Sequence, residues 1–184
     1  SLRKNIEFRY NNSDFLKQVI PNAKFTDTYM EFENKNGHKL GVKLFGATTG
    51  LRGTKIFGRR PTLAVLDDLI SDEASKSKVV MDLIKDTVYK GINHALDPNN
   101  RLVIFNGTPF NKSDILIEAV ESGGWEVNVY PVCEKFPCSP KECRGAWEDR
   151  FSYNYIKKQY DLAKTTGHLN AFYQELMLQI TSED

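Results

Sequence analysis

Residues Thr62–Ser71 read TLAVLDDLIS. An apolar run, Leu63 to Leu66, ends on two adjacent carboxylates, Asp67 and Asp68. A short apolar run that stops abruptly at polar residues predicts a buried β-strand. Two like charges at its end repel each other, and burying either one unpaired is costly. The pair therefore calls for a positive partner, and a divalent cation would relieve the repulsion.

A second run of this kind, RLVIFNG, spans Arg101–Gly107. Continuous apolar strands of this length are those covered on both faces of a parallel sheet. Between the two runs the spacing predicts one long helix, Glu73 to Ala95, with Val80, Leu83, Ile84, Val88 and Ile92 along one side. ALDPNN, from Ala95, ends it. KSDILIEAVESGG predicts a further helix, with Ser113 or Asp114 at its start and Gly123-Gly124 at its end. WEVNVYPV, Trp125–Val132, reads as a third strand. Strand, helix, strand, helix, strand in this order indicates an α/β fold with a parallel sheet.

The flanks add elements of other kinds. SDFLKQVI, residues 13–20, reads as a short helix capped by Ser13 or Asp14. TYMEFENKNGHKLGVKLFGA reads as a β-hairpin turning at Asn36-Gly37. After Trp147 the chain reads as helical, in SYNYIKKQYDLAK and LNAFYQELMLQI, where the aromatic and Leu positions look like packing rather than chemistry. The expected organisation is a core over residues 1–146 and a helical closing segment over 147–184.

With 184 residues, 40% of them hydrophobic and 27% charged, the chain suits one globular domain with a small appendage. No stretch has the apolar length of a membrane span. The first residues, Ser1 and Leu2, are not an initiator Met and suggest a piece of a longer protein. The net charge of +1 conceals an asymmetry: residues 1–60 hold twelve Lys/Arg against five Asp/Glu, the rest thirteen against nineteen. The basic part closes in TTGLRGTKIFGRR, where Arg52, Lys55, Arg59 and Arg60 sit among glycines without an acid. Such a loop suits phosphate groups, although a solvated surface loop has the same composition. Cys133, Cys138 and Cys143 lie in PVCEKFPCSPKECRGAW. Their odd number argues for a reducing compartment. No Cys-x-x-Cys pair is present and the nearest downstream histidine is His168, so a Pro-rich surface loop with free thiols is expected, a metal-stapled loop being the alternative.

Ligands of open parallel sheets bind beyond the carboxyl ends of the strands. Here one strand would end in Asp67-Asp68 and the other in Asn106-Gly107-Thr108-Pro109. A hydrophobic strand ending in an acid pair is an arrangement by which ATPases hold magnesium and position water. An Asp after a strand is also an ordinary helix cap, and Asp72 and Glu73 look like that plainer case. The ordered set is more specific: GLRG, then RRPTLAVLDDL, then a helix, then LVIFNGTPF.

That set resembles the large terminase subunit of tailed bacteriophages, the ATPase motor that packages DNA into procapsids. The closing stretch AWEDRFSYNYIKKQYDLAKTTGHLNAFYQELMLQ is similar to the segment that ends the ATPase domain ahead of the nuclease. The resemblance covers roughly Gly41 to the C-terminus. It implies a parallel-sheet nucleoside-triphosphatase fold of the P-loop type, carrying an N-terminal hairpin and C-terminal helices. It also implies ATP and Mg²⁺ as cofactors and double-stranded DNA, a portal protein and a small terminase subunit as partners. The setting would be a homo-oligomeric ring in the bacterial host cytoplasm, without a membrane. Asp67 then matches the metal-site acid of the Walker B strand. Asp68 stands where many such motors have the catalytic Glu, one methylene longer. Thr108 matches the residue coupling hydrolysis to movement, with Asn106 and Gly107 beside it at the nucleotide. Arg52 matches an arginine that reaches toward a nucleotide, that of a neighbouring subunit included, and Arg59 and Arg60 are rivals for nucleotide contact.

The departure from the family is the missing phosphate loop: no GxxxxGK[ST] occurs in the chain. The expectation is therefore the C-terminal part of an ATPase domain, inactive by itself. Two other readings stand beside it: a piece of a helicase-like DNA translocase, and a non-catalytic binding module that lost its phosphate loop. The GLRG…RRP lead-in and the closing segment favour terminase over helicase. A phosphate-loop motif within about one domain length before Ser1 would separate the motor from the module.

Overall fold

The structure, a computed structural model, describes residues 2–109 and 114–179. The chain divides into two compact units, Ser1–Ala64 with Leu83–Ile104, and Val65–Asp82 with Phe105–Asp184.

The first unit opens with helices α1 (Leu2–Asn11) and α2 (Asp14–Val19). Ser13 is the cap of α2: its hydroxyl accepts the Leu16 amide at 3.2 Å, satisfying one of the orphan donors of the first turn. An antiparallel sheet follows in the order β1 (Asn22–Phe25), β2 (Tyr29–Glu33), β3 (Lys39–Lys43). The β2–β3 hairpin is the expected one. The Asn34 side chain accepts the amides of Asn36 and His38, and Gly37 takes the left-handed φ of 76° that favours glycine. Strand β1 adds an edge that the sequence reading did not foresee. On one side Tyr10, Phe25 and Phe32 meet edge-on or tilted, with centroids 5.6–6.5 Å apart. Met30, on β2, is almost fully buried.

Strands β4 (Leu63–Asp67) and β5 (Leu102–Asn106) form a separate two-stranded sheet. The Leu102 amide donates to the Thr62 carbonyl at 2.8 Å and the Asp68 amide to the Asn106 carbonyl at 3.2 Å, so both strands run the same way. The chain is thus α/β, with one parallel pair and one antiparallel sheet. The parallel pair is covered on one face only. Leu66 is buried, while Leu63, Val65, Leu102 and Ile104, alternate residues on the other face, are exposed. The expectation of strands covered on both faces does not hold.

The connection between β4 and β5 is helical but not one helix. It comprises α3 (Asp72–Ser75), α4 (Lys78–Asp86), a π-helical stretch Thr87–Ile92 and the short α5 (Asn93–Ala95). The widening coincides with two features that weaken α-helix: the Thr87 hydroxyl donates back to the Leu83 carbonyl, and Gly91 packs near Leu51. Met81, Ile84, Val88 and Ile92 are buried, whereas Leu83 is 48% exposed, so the predicted apolar side is narrower than the periodicity suggests.

In the second unit α6 (Ile115–Glu121) begins at Asp114, whose carboxylate accepts the Leu116 amide at 2.8 Å. Ser113, the other candidate cap, lies outside the described residues. Gly123, with φ 67°, follows the helix end as expected. Trp125–Val132 is not a strand: Val127, Val129 and Tyr130 are exposed, and Trp125 instead sets its ring edge-on against Phe105 at 6.0 Å. The closing helices are α7 (Tyr153–Thr166), capped by Ser152 and ended by left-handed Gly167, and α8 (Leu169–Met177). Their core is Ile156, Phe172 and Met177, joined by Phe136 and Cys133 from the preceding loop. Among the described residues no helix is long and apolar enough to cross a membrane.

Candidate functional site

The carboxyl ends of β4 and β5 meet in the second unit. After Asp67 the chain leaves the strand at Asp68, which holds a left-handed φ of 44°. Its amide bonds to Asn106, the last residue of β5, and that bond brings the acid pair alongside Asn106-Gly107-Thr108. A cleft opens there, lined by Asp68, Asn106, Gly107 and Thr108 and floored by Phe105 and Leu116. Gly107 borders it: a Cβ at that position would stand in ordinary contact, 3.4 Å from Leu116 and 4.0 Å from the Asp68 carboxylate. Thr108 is half-buried and Pro109 fully so. Asp114, almost fully buried, also lines the cleft, a role that the sequence signalled only as a helix cap.

The two acids do not face the same space. Asp67 is exposed on the side of β4 that carries Leu63 and Val65, while the turn at Asp68 aims its carboxylate into the cleft. Both are solvent-exposed, so water screens the repulsion that their adjacency would create in a core. Carboxylate and hydroxyl oxygens are the donors that suit Mg²⁺, and Asp67 is free to offer one. These residues alone supply no phosphate cradle, because the chain has no phosphate-loop sequence.

The arginines belong to the first unit. Arg52 occupies the corner of a turn closed by the Thr54 amide and hydroxyl on the Leu51 carbonyl, with Gly53 at φ 76°. It is exposed, and among the described residues no hydrogen bond or ion pair holds its guanidinium. Arg59 ends a tight two-residue turn, Phe57-Gly58, whose residues both have positive φ. Arg60 donates to the His94 carbonyl at 2.9 Å, so part of its donor set is used within the unit.

The cysteine segment differs from the surface loop expected. Residues 131–146 close on themselves, the Ala146 amide donating to the Pro131 carbonyl and the Glu134 amide to the Arg144 carbonyl. They dock on the last helices through the Val132 amide on the Leu176 carbonyl and the Tyr153 hydroxyl on the Cys138 carbonyl. Cys133 is fully buried, Cys138 and Cys143 half-buried, and none is in a disulfide. Burial, with Cys133 alongside, pushes the Cys143 thiol up to about 12, and burial raises Cys138 as well. The sequence signal was their even spacing, each five residues from the next.

The chain matches no known family model and no curated protein.

Proposed function

We propose that these residues are part of the ATPase motor of a viral terminase, which packages double-stranded DNA into procapsids. The observation that supports this most is the pairing of the two strand ends, which sets Asp67-Asp68 beside Asn106-Gly107-Thr108 at the carboxyl edge of parallel strands. In this reading the fold is the carboxyl-side portion of a P-loop-type nucleoside triphosphatase, and the phosphate cradle comes from residues outside this sequence. Asp67 would orient a hydrated Mg²⁺. Asp68, already turned into the cleft, would take the proton of the attacking water. Thr108, on the same cleft, would report the state of the nucleotide to the moving parts. Asn106 and Gly107 would lie against the nucleotide, as would Arg59 or Arg60. Double-stranded DNA, a portal protein and a small terminase subunit are the partners this function needs, in a subunit ring in the bacterial host cytoplasm.

The test is ATP hydrolysis measured on two samples. The present chain alone should show no turnover above background. A longer protein that includes a phosphate loop upstream of Ser1 should hydrolyse ATP, and Asp67→Ala or Asp68→Ala should each abolish that activity. Undiminished turnover in both variants would defeat the assignment, and absence of any phosphate loop upstream would favour a non-catalytic module.

A further inference from the structure

The three cysteines bring their sulfur atoms together although they are spaced five residues apart in a segment without helix or strand. All three Sγ atoms lie within 4.8 Å of one another, and those of Cys133 and Cys143 are 3.4 Å apart. Tetrahedral zinc with Zn–S bonds near 2.3 Å sets its sulfurs roughly 3.8 Å apart. The measured side is about 0.4 Å short of that spacing and no side is more than about 1 Å beyond it, so an ion could enter with sulfur shifts of under about 1 Å.

Two plainer accounts fit less well. A disulfide between Cys133 and Cys143 would require an oxidant to remove two electrons and would leave Cys138 as a stranded thiol at the same point. A simple core of three thiols would account for burial but not for their convergence, because the Phe136, Ile156 and Phe172 contacts already fill the apolar centre of this unit. Convergence of all three sulfurs is what a soft metal ion demands and what neither alternative needs.

We propose that Cys133, Cys138 and Cys143 form a binding site for a thiophilic divalent ion, Zn²⁺ being the natural occupant, which staples the 131–146 loop to α7 and α8. On binding, three Zn–S bonds form and the three thiols release their protons to solvent, leaving a site of net charge −1. Among the described residues no histidine or carboxylate joins the three sulfurs, which leaves the fourth position of the tetrahedron to a solvent ligand. The loop geometry serves this site. Gly145 lets the returning arm of the loop press on the Val132 carbonyl, where a Cβ would collide. Glu142 ties Ser139 by both its amide and its hydroxyl, holding the short turn between Cys138 and Cys143. Sulfur donors reject Mg²⁺, so this site is separate from the nucleotide chemistry proposed above and stands or falls independently of it.

The experiment uses the whole chain, purified with a reductant and without a histidine tag. Elemental analysis should find about one Zn²⁺ per chain. The metal-free protein titrated with Co²⁺ should develop thiolate-to-cobalt charge transfer and the visible bands of a tetrahedral ion, saturating at about one equivalent. Zn²⁺ should displace the cobalt and raise the melting temperature. Cys138→Ala and Cys143→Ala, both at half-buried positions, should fold yet lose the cobalt spectrum and the thermal shift. If the wild type takes up no Co²⁺, or if the variants bind it as the wild type does, the proposal is overturned. Counting thiols in denaturant on protein purified without reductant then identifies the replacement: three mark a simple thiol core, and one marks a disulfide.

Discussion

Asp68 is the residue at which backbone and chemistry meet. A non-glycine residue at φ 44° gives up roughly 1 kcal/mol relative to its right-handed conformations, although Asp tolerates the region better than most. At the end of β4 that conformation turns the chain and directs the carboxylate into the cleft instead of along the strand. Strain of this kind persists where something other than stability selects it. Asp68→Gly should therefore be as stable as the wild type within ~0.5 kcal/mol, since relief of strain offsets the added freedom of the unfolded chain. Asp68→Ala should lose about 1 kcal/mol, as it keeps the Cβ and loses the local polar group. Chemical denaturation of the two variants checks this, and equal stabilities would remove the argument that the turn is strained.

Among the elements, the β2–β3 hairpin shows how much a short local code can carry. Lys39 reaches back across it to Glu31 at 3.1 Å and Glu33 at 3.5 Å, directly on the paired strand. The Lys39 hydrogen bond, with a further one from Tyr29, holds the Glu31 carboxyl below its ordinary 4.5. A depressed carboxylate stabilises the fold above its unfolded pKa and loses that contribution as pH falls through the folded one. Lys39→Met should therefore lose a small amount of stability at neutral pH, where the contribution is fully present and small because the pair is exposed. It should converge with the wild type as pH falls below about 4.5, giving a flatter stability-versus-pH curve. Acid titration of thermal stability in both proteins would show it, and parallel curves would count against it. This hairpin, the Ser13 and Asp114 caps and the closing helices were legible because each depends on residues a few positions apart. Trp125–Val132 was not, because β-propensity needs a neighbouring strand to act on, and the indole found Phe105 instead. The break in the long helix was signalled weakly by Thr87 and Gly91, whose effects periodicity does not register. At the site, the acids and Asn106-Gly107-Thr108 were readable as strand ends. The opposed directions of Asp67 and Asp68 were not, since they arise from one positive φ. The convergence of three evenly spaced cysteines needed the fold of the loop.

At the scale of the whole molecule, the residues that the proposed function assigns to one reaction come from different parts of the chain, and under that proposal their variants should separate accordingly. Thr108 lies on the cleft beside Asp68, and under the proposed packaging function Thr108→Ala should impair DNA translocation by the assembled protein more than ATP binding; a packaging assay with normal translocation would reduce NGTPF to a strand end and a turn. Arg52 offers the sharper test. It stands exposed at a turn corner between glycines, where the backbone can approach a partner closely and no acid among the described residues pairs with it. An arginine delivered to a neighbouring subunit's nucleotide stabilises charge on the transferred phosphoryl group, an effect worth ~10³–10⁵ in rate in well-studied nucleotide hydrolases. In that role Arg52→Ala should abolish turnover by the assembled motor while each subunit still binds ATP. Mixing it with an Asp68→Ala subunit should then restore part of the activity, because some interfaces combine the intact acid of one subunit with the intact arginine of the other. Restoration on mixing is the decisive reading, since an arginine that acted only within its own subunit would give two inactive populations and no recovery. Unchanged binding and unchanged turnover would make Arg52 a surface residue and move the question to Arg59, the neighbouring arginine that spends no side-chain hydrogen bond among the described residues.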